Sequence, residues 1–312
     1  MTVPNFTSIV QVLDFFKDDA VCNQYLAFQR WNGKPVCPKC GHSEKIYNIE
    51  NGARYKCGLC LRKFSVKVGT IFEKSPIELR IWFAAIYLCT AHKKGISSCQ
   101  LARDLNITQK TAWFMLHRIR EMLRTKAPQT LEGTTECDET YVGGKNANRH
   151  ADKKVKGSQG RSAKDKTPVF GVLERGGDVV LNVVPNTKAE TLQPIIKELV
   201  KEGSIVITDE WTGYSGVSKD FTHETVNHNM KEYVRENFHT NSIEGFWSLF
   251  KRGIYGIYHH ASRKHLMRYC DEFSYRYNSR KATDGNRFDS SMLVTTGRLT
   301  YKKLIAKTKE NA

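Results

Sequence analysis

In this chain of 312 residues, the sequence TECDETY at residues 135–141 has the pattern of a β-strand that carries three acidic side chains. Side chains alternate along a β-strand, so Glu136 and Asp138 share one face while Cys137 and Glu139 take the other. Carboxylates on a strand with apolar neighbours are costly to bury unless something cationic offsets them. The stretch therefore predicts a sheet that carries an acidic site on one strand.

The residues that follow predict an α/β arrangement around this strand. Residues 169–174 and 178–184 read as a hairpin about Arg175-Gly-Gly, and an Ile-Val-Ile strand at 204–208 ends at Asp209. That is the position at which open α/β sheets place their active sites. A further strand is predicted at 222–227, and helices are predicted at 191–201, 241–255 and 263–277.

Two more residues complete the acidic site in sequence. Glu244 follows Asp209 with 34 residues between them, and Lys251 lies seven residues after Glu244 on almost the same helical face. Three carboxylates from separate elements can hold two Mg²⁺ or Mn²⁺ ions about 3.5–4 Å apart, as phosphoryl transfer requires. Lys251 would then hold a phosphate. The alternative is an Asp that caps a strand and a Glu on a solvated helix face.

The charge of the chain indicates a polyanionic partner. Lys and Arg number 49 against 32 Asp and Glu, which gives a net charge of +17 and a pI near 9.4. Release of counterions would drive much of the binding to a nucleic acid. The alternative is a basic soluble protein without such a partner. The first residues do not resemble a signal peptide, and the apolar run at 81–91 is about half a membrane span, so we expect a cytoplasmic, nucleoid-associated protein and no membrane partner.

Two cysteine pairs predict a structural zinc site. Cys37-x-x-Cys40 and Cys57-x-x-Cys60, with 16 residues between the pairs, have the spacing of a Cys₄ zinc ribbon. Because four thiolates fill a tetrahedral ion, the Zn²⁺ would be structural; His42 is an alternative ligand. The remaining cysteines are predicted to be small buried side chains, namely Cys22, Cys89, Cys99, Cys137 and Cys270.

Residues 95–120 predict a helix-turn-helix, in which Thr108 caps the second helix. Its alternative is a helical pair without a DNA role.

Residues 143–166 are rich in Lys, Arg and Gly and predict a mobile basic loop that clamps DNA, or else a solvated spacer. The residues expected to contact DNA are Gln109, Lys110, His117 and Arg118 on the second helix, Lys153, Lys154 and Lys156 in the loop, and Arg252.

With these residues assembled, the chain resembles bacterial insertion-sequence transposases of the zinc-ribbon, DDE type. The similarity runs from about residue 10 to about residue 280. It is carried by the motifs WNGKPVCPKC (31–40), RYKCGLC (54–60), VGTI (68–71), ECDETYVGG (136–144), ITDEWTGY (207–214) and HTNSIEGFWSLFKRGIYGIYHH (239–260).

The resemblance implies a ribonuclease-H-like catalytic domain, a mixed five-strand sheet flanked by helices. It implies that Asp138, Asp209 and Glu244 are its three acids and that Lys251 is the accompanying basic residue. Some relatives carry Asn as the third residue, which makes Asn241 the alternative to Glu244. We prefer Glu244, because a carboxylate binds Mg²⁺ better and the step of seven residues to Lys251 fits it. Glu136 and Glu139 are the alternatives to Asp138.

The family's activity implies that the chain cuts an element from DNA at its terminal inverted repeats and joins it to target DNA. Two ends must be joined together, so we expect at least a homodimer on DNA, and no small-molecule substrate. Two other hypotheses are a non-catalytic DNA-binding regulator derived from a transposase and a ribonuclease-H-like nuclease that cuts without joining. The predicted segments are an N-terminal helical segment (1–34), a zinc ribbon (35–72), a helix-turn-helix region (73–128), a catalytic domain (129–282) and a C-terminal tail (283–312).

Overall fold

The computed structural model divides the chain into two compact units. One comprises Met1–Leu123 together with Ser279–Ala312, and the other comprises Arg124–Asn278. The residues that the structure describes are 4–50, 52–124, 130–143, 150–157, 165–226 and 239–306.

Helices and strands follow one another along the chain with these bounds: α1 Ile9–Phe15, α2 Asp19–Trp31, β1 Ile46–Ile49, β2 Arg54–Cys57, β3 Lys63–Ser65, α3 Leu79–Ala91, α4 Ser98–Asp104, α5 Gln109–Leu123, β4 Thr134–Gly143, β5 Lys166–Glu174, β6 Val179–Val183, α6 Ala189–Leu199, β7 Ile205–Asp209, β8 Thr222–Val226, α7 Asn241–Gly256, α8 Arg263–Asn278, α9 Asp284–Met292 and α10 Tyr301–Ile305.

The unit Arg124–Asn278 is built on a mixed sheet of five strands in the order β6-β5-β4-β7-β8. β4, β5 and β6 form an antiparallel meander, whereas β7 and β8 run parallel to β4. This order and these directions are those of the ribonuclease-H-like sheet, so the predicted fold class is confirmed. The strand that carries Asp138 lies at the centre of the sheet.

Helices cover both faces of this sheet. Val169 and Leu173 of β5 pack with α7 and α8, while Phe170 and Val172 of the same strand pack with α6. Cys137 belongs to the α6 side. Because neighbouring side chains of a strand point to opposite faces, the residues on either side of Cys137 face α7. The predicted alternation along residues 135–141 is confirmed.

A glycine lets α7 lie close to the sheet. Gly171 of β5 pairs with Asp138 of β4. A Cβ atom on Gly171 would stand 2.8 Å from Cζ2 of Trp247 and 3.1 Å from Cδ2 of Leu181. The indole of Trp247 therefore rests on the glycine backbone, directly beside the position of Asp138.

An aromatic core holds the other unit together. Phe16 packs at ring-centroid distances of 4.9 Å from Tyr25, 4.7 Å from Phe83 and 6.1 Å from Phe288. Phe288 is fully buried and lies on α9, which packs against α3. Residues 1–123 and the C-terminal segment thus share one core.

Two sequence expectations about this unit are wrong. Residues 283–312 were predicted to be a tail but contain α9 and α10, in which Phe288, Met292 and Leu304 are buried. Cys99 is exposed rather than buried, because it lies in the first turn of the short α4.

A second, smaller sheet lies in the region of the two cysteine pairs. β1, β2 and β3 form this antiparallel sheet, which carries part of the cysteine cluster.

In the basic segment 143–166, the structure describes residues 150–157, which include a short 3₁₀ helix at Ala151–Lys153. The rest of the predicted loop, apart from its ends, lies outside the described residues. Among the described residues, no helix combines the length and the apolar character that crossing a membrane requires.

Candidate active site

Asp138 and Asp209 lie on adjacent parallel strands. The pairing of β4 with β7 ends at Glu136 and Ile207, and each of the two acids lies two residues further along its strand. Corresponding residues of parallel neighbours point to the same face, so both carboxylates face α7. Asp209 accepts a hydrogen bond of 3.0 Å from the backbone N–H of Trp211, which fixes its side chain at the end of β7.

The electrostatics of Asp138 show that acids converge here. Burial raises its pKa from 3.8 to about 7, and the negative charges of Glu139, Asp209 and Glu244 act in the same direction. Like charges raise a carboxyl pKa when they lie within interaction distance. Asp209 and Glu244 therefore lie within electrostatic interaction distance of Asp138.

Glu136 has a different role from Asp138. Its Oε2 accepts hydrogen bonds of 2.9 Å from the backbone amides of Ser242 and Ile243. Its Oε1 accepts from Ser242 Oγ at 2.9 Å and from Arg175 Nε at 3.0 Å. The side chain is fully buried, and it satisfies N–H groups that the first turn of α7 leaves without helical partners. Glu136 thus anchors α7 to β4.

Arg175 and His239 extend this anchor. Arg175 donates to Glu136 and, through Nη2, to the backbone carbonyl of His239 at 3.0 Å. The hairpin between β5 and β6 is thereby tied to the residues that lead into α7. The sequence analysis did not identify this network, although the same-face position of Glu136, two residues before Asp138, was a usable signal.

Glu139 lies on the α6 face of the sheet. It is buried and accepts a hydrogen bond of 2.6 Å from the hydroxyl of Tyr214. Burial raises the pKa of Tyr214 well above its ordinary value, and the charge of Glu139 adds to that shift, so the phenol stays a donor. The structure therefore separates the three acids of β4: Glu136 and Glu139 bind protein groups, and Asp138 faces the other acids.

Helix α7 carries the remaining predicted residues. Asn241 is its first residue and is exposed. Glu244 is exposed and accepts a hydrogen bond of 2.8 Å from Thr240 Oγ1. Lys251 is exposed and stands about 10 Å further along the helix axis, given the rise per residue of an α-helix. Of the two candidates for the third residue, Glu244 is the one whose charge acts on Asp138.

Among the described residues, the four cysteines of the predicted zinc ribbon form a group of possible metal ligands whose ligand atoms lie close together. The ligand atoms of Cys37, Cys40, Cys57 and Cys60 all lie within 4.8 Å of one another, a spacing that the three acids do not reach. Two Sγ···Sγ distances, Cys37 to Cys60 and Cys40 to Cys57, are 3.6 Å. A tetrahedral Zn²⁺ with Zn–S bonds of about 2.3 Å places its sulfurs about 3.8 Å apart. The cluster therefore fits zinc.

The predicted helix-turn-helix corresponds to α4 and α5. Thr108 Oγ1 accepts a hydrogen bond of 3.2 Å from the backbone N–H of Thr111, which confirms the predicted cap of α5. Gln109 and Lys110 are exposed in the first turn of α5. Gln109 Nε2 also donates to Ser98 Oγ at 2.8 Å, which ties the second helix to the first.

The expectation that His117 and Arg118 are exposed is wrong. His117 is fully buried and Arg118 is 3% exposed. Arg118 donates through Nη2 to the backbone carbonyl of Glu73 at 2.8 Å, and its guanidinium lies 5.2 Å from the ring centroid of Trp82. Polar side chains on the last turns of α5 are covered because the rest of the unit packs around them.

The other basic residues that were expected to contact DNA are on the surface where the structure describes them. Lys154 and Lys156 are exposed in residues 150–157, and the side chain of Lys153 lies outside the described set. Arg252 is exposed on α7, and its Nε donates to the carbonyl of Ser248 at 3.0 Å.

Comparison with known proteins agrees with this architecture. The model of the ISXO2-like transposase domain matches residues 130–278, and that of the transposase zinc-ribbon domain matches residues 17–63. An uncharacterized protein in the transposable element ISH50 of Halobacterium salinarum is 32% identical over 266 residues, which cover 80% of this chain and 88% of that protein. An uncharacterized transposase-like protein of Haemophilus influenzae is 34% identical over 98 residues, 31% of this chain and 78% of that protein.

The sequence identity to proteins of solved structure is lower. The Mos1 strand transfer complex matches with a TM-score of 0.23 and 14% identity over 65% of this chain and 78% of the Mos1 chain. A pre-cleavage Mos1 transpososome matches with a TM-score of 0.19 and 11% identity over 65% of this chain and 75% of that one.

The ribonuclease-H-like sheet, the acidic face and the cysteine cluster together define a transposase with a zinc ribbon. The chain belongs to the family of ISXO2-like transposases.

Proposed function

We propose that this transposase binds the terminal inverted repeats of an insertion sequence and catalyses metal-dependent cleavage and strand transfer of DNA. One observation carries the proposal: the register of β4 and β7 directs Asp138 and Asp209 to the same face of the sheet, which is the face of the helix that bears Glu244 and Lys251. The anchoring of α7 by Glu136 supports it, because it holds the third acid on the same face as the other two.

Asp138, Asp209 and Glu244 are the residues that would hold Mg²⁺ or Mn²⁺. Two such ions, when bound, stabilise the attacking and the leaving oxygen of an in-line displacement at phosphorus. The carboxylates fit the ions chemically, since hard divalent cations prefer oxygen ligands and the negative charges of neighbouring acids contribute to the raised pKa of Asp138.

The residues of the chain then position the DNA. Lys251 contacts a phosphate next to the scissile bond, on the helix face it shares with Glu244. In the first reaction, water attacks the phosphorus, and the bond to the 3′-oxygen breaks to release a 3′-hydroxyl. In the second, that hydroxyl attacks a target phosphate and displaces the 3′-oxygen of the target strand. Each reaction forms one P–O bond and breaks one, so no energy-rich cofactor is needed.

DNA recognition falls to the other unit in this proposal. Gln109 and Lys110, in the first turn of α5, reach the base edges or phosphates of an inverted repeat, as the second helix of a helix-turn-helix does. In the unit Arg124–Asn278, Lys154, Lys156 and Arg252 contact phosphates outside the active site, and the net charge of +17 favours such contacts. Joining two ends requires at least two copies of the chain on DNA.

A strand-transfer assay tests the proposal. Purified chain is mixed with Mg²⁺, labelled DNA ends from the sequence flanking the gene and a plasmid target. Asp138→Asn and Asp209→Asn are run beside the wild type. Glu132→Gln is the control, because Glu132 is an exposed acid of the same unit that pairs with Lys201. We expect joined product from the wild type and the control and none from the two Asn variants.

The other outcomes separate the competing functions. Cleavage without joining, abolished in the same variants, would identify a nuclease. Tight binding of the ends with neither reaction would identify a DNA-binding regulator. Joining that survives Asp209→Asn would show that the proposed acids are not the active site.

A further inference from the structure

A cavity of about 300 Å³ opens beside the proposed recognition helix. It lies within the unit Met1–Leu123 with Ser279–Ala312 and is lined by the loop 74–77, by one side of α5 and by α10. Small-molecule sites have volumes of about 300–1,000 Å³, so this cavity suits one small group rather than an extended ligand.

Aromatic rings form much of the wall. Phe114 and Tyr301 are half-buried and meet edge to face at a centroid distance of 5.4 Å. Trp82 lies deeper, and its Nε1 donates to Ser75 Oγ at 3.0 Å, which fixes the orientation of the indole. Rings of this kind bind unpaired bases by stacking, whatever the sequence.

Positive charge accompanies the rings. Lys74 and Lys110 are exposed at the mouth, and Arg118 lies at the bottom. Lys110 Nζ stands 5.2 Å from the ring centroid of Tyr301. Among the described residues that line the cavity, none carries a carboxylate. The ligand that this lining favours is therefore both aromatic and anionic.

Arg118 provides an independent indication of a ligand. It is 3% exposed, and its Nε has no hydrogen-bond partner among the described residues. A buried donor without a hydrogen-bond partner is energetically unfavourable. Burial and the nearby charge of Arg298 lower the pKa of Arg118 to about 10 in spite of Glu73. An oxygen anion would satisfy the donor and offset the two positive charges.

We propose that this cavity binds a single unpaired nucleotide of the DNA substrate, with the base against Phe114 and Tyr301 and the phosphate near Lys110 and Arg118. The size admits one base with its phosphate, and Lys110 belongs both to the cavity and to the exposed first turn of α5. The inference rests on the proposed function, since it assigns part of the DNA to this site. The same chemistry is present in a free nucleotide, which the test includes.

The test measures binding of the full-length chain to labelled duplexes by fluorescence anisotropy. The duplexes are identical except at one end, which is blunt, carries one unpaired nucleotide, or carries one abasic nucleotide that keeps the phosphate. We expect the unpaired nucleotide to bind about 5- to 150-fold more tightly than the abasic one, as stacking of one base does.

Two variants that remove an aromatic ring and one matched control test whether this cavity causes the preference for the unpaired base. Tyr301→Ala and Phe114→Leu should abolish the preference for the unpaired base, while Tyr301→Phe, which keeps the ring, should retain it. Blunt-duplex affinity and thermal unfolding of each variant show whether the fold persists. A 5-iodouracil base at the unpaired position should photo-crosslink to Trp82, Phe114 or Tyr301, as mapped by mass spectrometry.

Each contrary result has a distinct meaning. Equal affinity of the wild type for the three duplexes, or crosslinks confined to other residues, would overturn this inference and leave DNA binding intact. Competition by free dAMP at the same concentration as the oligonucleotide would show a site for free nucleotides instead. A wild-type chain that binds none of the duplexes would overturn the proposed function as well.

Discussion

Glu136 Oε2 accepts a hydrogen bond of 2.9 Å from the backbone amide of Ser242, and this bond joins the strand of Asp138 to the helix of Glu244. A buried carboxylate at the positive end of a helix is favoured by the helix dipole as well as by the hydrogen bonds. The active site that we propose therefore depends on a residue that does not face it.

Glu136→Gln should destabilise the unit Arg124–Asn278 and lower strand transfer. Either orientation of the amide sets an NH₂ group against donors, and Arg175 loses its partner. Breaking a buried ion pair costs about 3–5 kcal/mol. For a unit of this size we expect the midpoint of thermal unfolding to fall by about 6–20 °C, measured by calorimetry. Glu132→Gln removes an exposed ion pair and should change stability by less than about 1 kcal/mol. An unchanged midpoint for Glu136→Gln would refute the anchoring role.

Gly171→Ala should displace α7 from the sheet. The new methyl group would stand 2.8 Å from Trp247 and 3.1 Å from Leu181, and overpacking of this kind costs about 1–3 kcal/mol. Gly245→Ala on α7 is the comparison, because a Cβ there meets nothing within 4 Å. That substitution should stabilise the helix by about 0.5–1 kcal/mol. Urea unfolding of both variants checks the prediction, which fails if the two substitutions have effects of the same sign.

Glu244→Gln and Asn241→Ala distinguish the two candidates for the third residue of the active site. Loss of the Glu244 charge should reduce strand transfer by at least about 100-fold, the scale of removing one electrostatic contact from a transition state. Asn241→Ala, one turn earlier on the same exposed helix surface, should leave the rate within about threefold. Binding of DNA ends, measured in parallel, should not change in either variant. The opposite ranking of the two rates would assign the role to Asn241.

Cys57→Ser should remove the structural zinc. The thiolates of the four cysteines supply one tetrahedral site, and structural zinc binds with about 10–16 kcal/mol of apparent free energy in small domains. We expect the purified variant to lack zinc by atomic absorption and the ribbon around Tyr55 and Phe64 to become protease-sensitive. Cys99→Ser is the control, since Cys99 is exposed on α4 and lies outside the cluster. Zinc retained at the wild-type level in Cys57→Ser would exclude Cys57 as a ligand.

Much of the sheet could be predicted from periodicity. Residues 204–208 were predicted as a strand and the structure has Ile205–Asp209, because a short run of β-branched residues between polar turns has few alternatives. The same-face position of Glu136 and Asp138 followed from alternation alone. Which of these acids faces the site depends on the contacts of α7, and those contacts come from residues more than a hundred positions away.

The burial of some other side chains could not be predicted from the local sequence. The helical pattern predicts that Arg118 is an exposed basic side chain. It is buried instead, because it donates to the carbonyl of Glu73, which lies 45 residues away in the sequence. Helix α9 has the sequence DGNRFDSSM, in which little is apolar, yet Phe288 is fully buried. Its neighbour Arg287 is also buried, because it donates to the carbonyl of Thr90 at 3.0 Å. Tertiary partners, rather than sequence pattern, decide burial at these positions.

The aromatic core that Phe288 completes has a consequence for synthesis of the protein. Phe6, Phe16 and Phe83 leave the ribosome early, but their partner on α9 is translated only after the whole of Arg124–Asn278. The unit that we expect to bind DNA ends therefore reaches its final packing only after the acidic site has been synthesised. A nascent or prematurely terminated polypeptide would carry the entire acidic site without a finished partner to deliver DNA to it.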